Sequence, residues 1–480
     1  MIFEMTKPHC RYFYEISKIP HGSKNEKAIS NYLVDFAKSR NLKYMQDELW
    51  NVIIYKGASE GYKSSQPLML QAHTDMVCEK NKSSDHDFEN DAIEFVVNDG
   101  ILKANGTTLG ADDGTGVAYM LAILDDDSLV HPPLECVFTT QEEIGMFGAM
   151  VLKKEDINSR RMISLDGGSE TATMLSSAGG CRCSISKDVV FVPNSDKCYR
   201  LMIRGLSGGH SGGEIHKEKG NSNKLASRIL KEAIFNNIDI LLVSIDGGLK
   251  ENAIPRECEI VFSSSAGYEL LYNSFNSSAK DISNELAFSD ENFMIEIEEV
   301  DMVNECMSIS DSMDIINFIY LVPNGFKARS MAIEGLTLTS LNLGVVKTTD
   351  SKVICNFTIR SAIESAIDDL VNQVVSVSKL FGFSCDVGAR YPAWNYSPVS
   401  KMREVMGECV KEIYNTELEL KATHGGLECG VFTAMHSDMD IIMMGPIAKH
   451  IHTPDEQLDL ASFDRAYKLL CAIVTRCASK

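Results

Sequence analysis

The residues of this chain best suited to hold a metal ion lie far apart in sequence, and each follows a short apolar run. His73 follows Leu68-Met69-Leu70, and Asp112 lies within Leu109-Gly110-Ala111-Asp112-Asp113-Gly114. Glu142 and Glu143 follow Val137-Phe138-Thr139-Thr140, and Asp166 follows Met162-Ile163-Ser164-Leu165. His452 stands much later, in His450-Ile451-His452-Thr453-Pro454-Asp455. Such residues meet only in a fold whose strands end together. Open α/β sheets have this property, because ligands gather at the carboxyl ends of their strands. Imidazole and carboxylate donors without thiolates suit a catalytic zinc, manganese or cobalt site better than a structural cysteine site.

The pattern between these residues supports that class. Asn25 to Lys38 places Ala28, Ile29, Leu33, Phe36 and Ala37 near one helical face, and Ser23 with Glu26 resembles a capping box. Strands are expected at 51–55, 67–72, 134–140 and 162–165. Helices are expected at 115–124 and from Glu142 to Val151. Alternation of this kind predicts a largely parallel sheet. The texture then changes. Strands are expected at 197–206, 258–263, 340–346 and 353–360, and helices at 222–236 and 362–380. This middle block has no ligand set of its own, and no strict sequence repeat is visible. Because the early residues and His452 must converge, the block is most simply an insertion. The expected division is a catalytic domain in two parts, 1–185 and 391–480, around a second domain at 186–390.

Taken singly, each motif has a plain reading beside the chemical one. His73-Thr74-Asp75 offers a ring and a carboxylate able to orient it, or only a surface His-x-Asp. Asp112-Asp113 between glycines offers paired carboxylates that repel unless a cation is near, or an acidic helix N-terminus favoured by the helix dipole. Glu142-Glu143 offers one carboxylate for a metal and one to take a proton, or again two acids in a first helical turn. Asp166-Gly167-Gly168 is equally a turn, and His450 competes with His452. Their occurrence together, each at a strand end, is the stronger signal.

The totals exclude several partners. A formal net charge of -21 opposes nucleic-acid binding, which needs clustered Lys and Arg. No run approaches the roughly 18 apolar residues of a membrane span, and Met1 to Pro20 lacks a leader pattern. The 14 cysteines are dispersed, without a Cys-x-x-Cys pair, which reads as reduced, mostly buried thiols in a cytoplasmic protein.

Longer motifs carry a family resemblance. Gln71-Ala72-His73-Thr74-Asp75-Met76-Val77, Gly106-Thr107-Thr108-Leu109-Gly110-Ala111-Asp112, Gln141-Glu142-Glu143-Ile144-Gly145-Met146 and Gly208-Gly209-His210-Ser211-Gly212-Gly213-Glu214-Ile215-His216 are among them. So are Asn252-Ala253-Ile254-Pro255-Arg256-Glu257, Ser340-Leu341-Asn342-Leu343-Gly344-Val345-Val346, His424-Gly425-Gly426-Leu427-Glu428-Cys429-Gly430, His452-Thr453-Pro454-Asp455-Glu456 and the opening Ile19-Pro20-His21. With these the chain resembles, nearly end to end, the aminoacyl-histidine dipeptidases, also called Xaa-His or cytosol non-specific dipeptidases. The resemblance implies a mostly parallel α/β zinc-peptidase domain interrupted by an α+β lid. It implies two Zn2+ per subunit, with Mn2+ or Co2+ as substitutes. His73 and Asp166 would hold one ion, Glu143 and His452 the other, and Asp112 would bridge them. Asp75 would orient His73. Glu142 would be the general base in broad-specificity hydrolysis of dipeptides, Xaa-His substrates among them.

The resemblance further gives His210 to the oxyanion, and Asn252, Arg360 and His424 to substrate binding. Plain turn chemistry at Asn252 and a surface strand position at Arg360 are the alternatives. It also implies a homodimer joined through the lid and a cis peptide between Asp112 and Asp113. The chain departs from the family in Asp113, where many relatives carry Asn, and in Gly167, where an acidic residue is common. Competing functions are an aminoacylase or aminotripeptidase of the same superfamily, or a non-catalytic peptide binder. The retained Glu142 argues against the last.

Overall fold

The computed structural model describes residues 3–479, which form two compact units. Among the described residues the first unit comprises 3–177, 394–422 and 427–479; the second comprises 178–393 and 423–426. The second unit thus begins earlier than the expected 186, because strand Gly179–Asp188 belongs to its sheet. It also takes in the short piece carrying His424.

The first unit is built on a six-stranded sheet. Its order is Lys43–Gln46, Val52–Lys56, Leu134–Thr139, Leu68–His73, Arg161–Ser164, Asp440–Met443. The first two pairings are antiparallel and the remaining three are parallel. Strands Leu68–His73 and Leu134–Thr139 are buried at every position, which is why their sequences run apolar without alternation. Helix Ala111–Asp125 is buried along nearly its whole length, as its all-round apolar surface requires. It packs in one core with Tyr12, Phe13 and Ile16 of helix Pro8–Ile16 and with Phe463 and Leu470 of helix Leu460–Ser479. A small sheet, Ala448–Lys449, Gln457–Asp459, Ile101–Ala104, Phe95–Asn98, completes the unit. His452 lies in the turn between its first two strands.

Two local expectations fail for tertiary reasons. Ser23 and Glu26 form no capping box. Ser23 Oγ donates to Asp75, and Glu26 accepts the main-chain N–H of Gln141. Glu142 opens no helix either. Residues 141–146 form a turn with positive φ at Gln141, Gly145 and Met146, and the helix spans only Phe147–Val151.

The second unit holds a nine-stranded sheet in which every pairing is antiparallel. Its topology contains a repeat. Strand Lys197–Arg204, helix Ser222–Phe235, strands Leu241–Gly247 and Cys258–Ser264, helix Tyr268–Glu285 and strand Met294–Val300 make one βαββαβ set. Strand Gly179–Asp188, helix Ile309–Leu321, strands Thr337–Thr348 and Lys352–Ser361, helix Glu364–Leu380 and strand Ser384–Tyr391 make another. Both sets have the strand order fourth, first, third, second. They join through their second strands, at Asp246↔Lys347 and Gly247↔Val346. Strands such as Lys197–Arg204 and Cys258–Ser264 bury one face more fully against the helices, which gives the half-buried alternation seen in the sequence, whereas Thr337–Thr348 is buried on both faces over most of its length.

Candidate active site

Strand ends bring the first unit's acids and histidines together. His73 closes strand Leu68–His73, and Glu142 and Glu143 follow strand Leu134–Thr139, whose Thr139 is paired with His73. Asp166 follows strand Arg161–Ser164, the neighbour on the other side. Asp112 stands at the start of helix Ala111–Asp125, where residues 112 and 113 are not yet helical. The Asp112–Asp113 peptide is cis, as the resemblance implied.

Asp112 occupies the middle of the group. Its Oδ1 is 3.0 Å from His73 Nε2 and its Oδ2 is 3.2 Å from His452 Nε2. Asp166 Oδ1 lies 4.0 Å from His73 Nε2, and Glu143 Oε1 lies 2.9 Å from His452 Nε2. The donor atoms of Asp112, Glu143 and His452 fall within 4.8 Å of one another, as do those of His73, Asp113 and Asp166.

His73 Nδ1 faces the main-chain oxygen of Asp75 at 3.0 Å, and the Asp75 carboxylate stands farther off, at 3.6 Å. That carboxylate instead accepts the main-chain N–H groups of Glu142 and Glu143.

The group carries a surplus of carboxylates over imidazoles, and this shows in their proton affinities. Burial, with Asp112 and Asp113 nearby, pushes Asp166 well above the ordinary carboxyl range. Burial raises Glu142 to about 7, with Glu143 and Asp112 adding to the rise. The Asp112 and Glu143 carboxylates lift His452 to about 10. Burial opposes charge on His73, but Asp112, Asp75 and Asp166 together raise it well above its usual value. Glu143 Oε1 is buried and accepts no hydrogen bond despite its nearness to His452. Partly buried carboxylates crowded around two imidazole nitrogens, with Glu143 Oε1 and Asp113 Oδ2 lacking a hydrogen bond, are the donor set that divalent cations complete.

The other expected residues lie in the second unit. His210 belongs to the short strand Gly209–His210, paired with Ala253–Ile254, and the main-chain oxygen of Asn252 accepts the Ser211 N–H. The His210 Nδ1 accepts N–H groups from Gly212 and Gly213, both at 3.2 Å. The ring proton is therefore on Nε2. Burial, then Arg360, lowers the His210 pKa, so the neutral ring is favoured. Arg360 pairs across the sheet with Ser340, whose hydroxyl lies 2.7 Å from His424 Nε2. Arg360 donates through Nη1 to Tyr391, while its buried Nε has no hydrogen-bond partner. Burial and Arg360 lower His424 to about 3, so its ring is neutral.

The sequence singles out Glu26 only as part of a local cap and does not single out Glu456, whose carboxylate accepts the main-chain N–H groups leading into Asp112. Glu456 stood inside a quoted motif, but nothing local marked its side chain.

Residues 69–476 match the model of peptidase family M20/M25/M40. The chain is 34% identical over 471 residues to the cytosol non-specific dipeptidase of Escherichia coli K12, covering 98% of this chain and 97% of that protein. The crystal structure of aminoacylhistidine dipeptidase from Vibrio alginolyticus superposes with a TM-score of 0.90 at 33% identity, over 98% of this chain and 96% of that one. The aminopeptidase PepT structure from Bacillus cereus shares the fold, with a TM-score of 0.57 at 15% identity over the full length of both chains. The chain belongs to peptidase family M20/M25/M40 and, within it, to the group that includes these two dipeptidases. It is thus a metallopeptidase, a hydrolase. Among the described residues, no helix is long and apolar enough to cross a membrane.

Proposed function

We propose that this peptidase hydrolyses dipeptides in the cytoplasm, using two divalent metal ions, zinc foremost. His73 and Asp166 would hold one ion and Glu143 and His452 the other, with Asp112 contributing to both. The observation that carries this reading is the placement of Asp112, whose two carboxylate oxygens face one histidine each. When bound, such a metal pair would supply Lewis acidity, lowering the pKa of the attacking water and polarising the scissile carbonyl. Glu142 takes the proton of the attacking water and delivers it to the leaving amine. A carboxylate beside the ligands, not itself needed to hold an ion, is suited to both transfers. Asp75 fixes Glu142 through its main chain and His73 through the ring.

The residues of the second unit serve the substrate in this reading. His210 offers Nε2–H to the developing oxyanion. Arg360 takes the substrate carboxylate, for which a guanidinium is suited, and Asn252 and His424 complete its binding. A homodimer joined through the second unit belongs to the same reading, and sedimentation tests it.

The deciding experiment is hydrolysis of a dipeptide panel, including an Xaa-His substrate and a tripeptide, before and after chelation. Dipeptide turnover that chelator abolishes and Zn2+ or Mn2+ restores is expected. Cleavage of the tripeptide alone, or of acylated amino acids alone, would replace this reading with that of an aminotripeptidase or aminoacylase.

A further inference from the structure

Glu456 is 2% exposed, yet it is not a candidate ligand. Its carboxylate accepts main-chain N–H groups from four consecutive residues. Oε2 takes Leu109 at 2.7 Å and Gly110 at 3.1 Å. Oε1 takes Ala111 at 2.9 Å and Asp112 at 3.4 Å. Gly110, with φ +72°, turns these N–H groups inward to make a concave anion cradle. The first turn of helix Ala111–Asp125 leaves N–H groups without intrahelical partners, and Gly110 has no side chain to cap them. Glu456 does so from a distant part of the chain.

Glu456 also belongs to the hairpin that carries His452. The base of this hairpin is fixed by strand pairing, Ala448↔Leu458 and Lys449↔Gln457 on one side and Gln457↔Lys103 on the other. Its tip is closed by the Glu456 N–H on the Thr453 oxygen at 3.0 Å and the Thr453 hydroxyl on the His450 oxygen at 2.7 Å. His452 and Glu456 therefore move as one piece, and Glu456 grips the residues leading into Asp112.

We infer that Glu456 is a positioning residue that sets the spacing between Asp112 and His452 and so governs retention of the metal ion His452 holds. This rests on the dinuclear reading above. The other ion depends less on Glu456. His73 and Asp166 lie at the ends of adjacent strands locked at Gln71↔Ser164.

The test is titration of the metal-free full-length protein with Co2+, read by visible absorption and calorimetry, in the parent, Glu456→Gln and Glu456→Asp. The parent binds two equivalents. Glu456→Gln keeps one acceptor oxygen and sets an amide NH2 against two N–H groups. It should weaken the ion held by His452 10–100-fold, the range for a lost partner of a ligand, and the other ion clearly less. Glu456→Asp keeps the charge with a shorter reach and should fall between. It carries the test if Glu456→Gln does not fold, as judged by circular dichroism. A parent with two ions and variants with unaltered affinities, or equal weakening of both ions, would overturn this inference alone. A parent binding fewer than two ions would overturn the dinuclear reading and this inference with it.

Discussion

Asp75 Oδ1 accepts the main-chain N–H of Glu142 at 2.9 Å, while Oδ2 takes Glu143 N–H at 3.3 Å and the Ser23 hydroxyl at 2.8 Å. The carboxylate beside His73 is thus committed to the loop that presents Glu142. Replacing Glu142 by Gln should lower kcat by about 10²–10⁴-fold with both metal ions retained. Asp75→Asn should lower kcat less, since it acts through Glu142. In the double variant the losses should fall short of additive, measured as a cycle in kcat/KM. Fully additive losses would separate the two residues.

His210 presents a neutral ring with its proton on Nε2, fixed by two main-chain N–H groups on Nδ1. A donor that acts on developing charge affects kcat more than KM. His210→Ala should cost about 10²–10³-fold in kcat with a modest change in KM. Steady-state kinetics on one dipeptide reads the split, and a change confined to KM would assign His210 to substrate binding alone.

Gly116 packs where no side chain fits. A Cβ there would stand 2.5 Å from Asp113 Oδ1 and 2.7 Å from Leu165 Cβ. Both neighbours adjoin proposed ligands, Asp112 and Asp166. Gly116→Ala should cost about 1–3 kcal/mol in stability through overpacking and should lower bound metal. Thermal unfolding and metal analysis of the purified variant check both.

Asp125 closes the same helix and receives Arg40 Nε at 2.6 Å, Tyr12 Oη at 2.5 Å and Arg11 Nη2 at 3.1 Å. The Arg40 hydrogen bond, with Tyr12 and Arg11, lowers its pKa from the ordinary 3.8 despite partial burial. The folded state therefore binds this proton less readily than the unfolded chain. The stabilisation is complete above the unfolded value near 4 and disappears as pH falls through the lower folded value. Asp125→Asn should cost about 1 kcal/mol at pH 7, allowing for partial solvent exposure. Its urea midpoint should approach the parent's as pH falls through the lowered folded-state value.

Much of the first unit was legible because buried parallel strands write themselves as apolar runs. Leu68–His73 and Leu134–Thr139 are buried at every position, and the chemistry begins where each run stops. What failed to show was long-range use of short polar residues. Ser23 and Glu26 look like a local cap, but Ser23 donates to Asp75 and Glu26 accepts the N–H groups of Lys24 and of the distant Gln141. Glu142 and Glu143 looked like a first helical turn, whereas positive φ at Gln141, Gly145 and Met146 makes a loop instead. Glu456 had no local sign at all, because its partners lie in residues 109–112. The repeat in the second unit was hidden for another reason. Sheet order and crossover helices repeat there, and such topology constrains only which positions are apolar.

That repeat has a consequence for how the protein can change. Its two halves face each other as subunits of a symmetric pair would, through equivalent strands. A true pair must carry every feature twice. Here one half bears His210 and Asn252, and the other bears Arg360 and Ser340, the latter engaging His424. Covalent linkage has released the halves from sameness, and a lesion in either has no spare copy to fall back on.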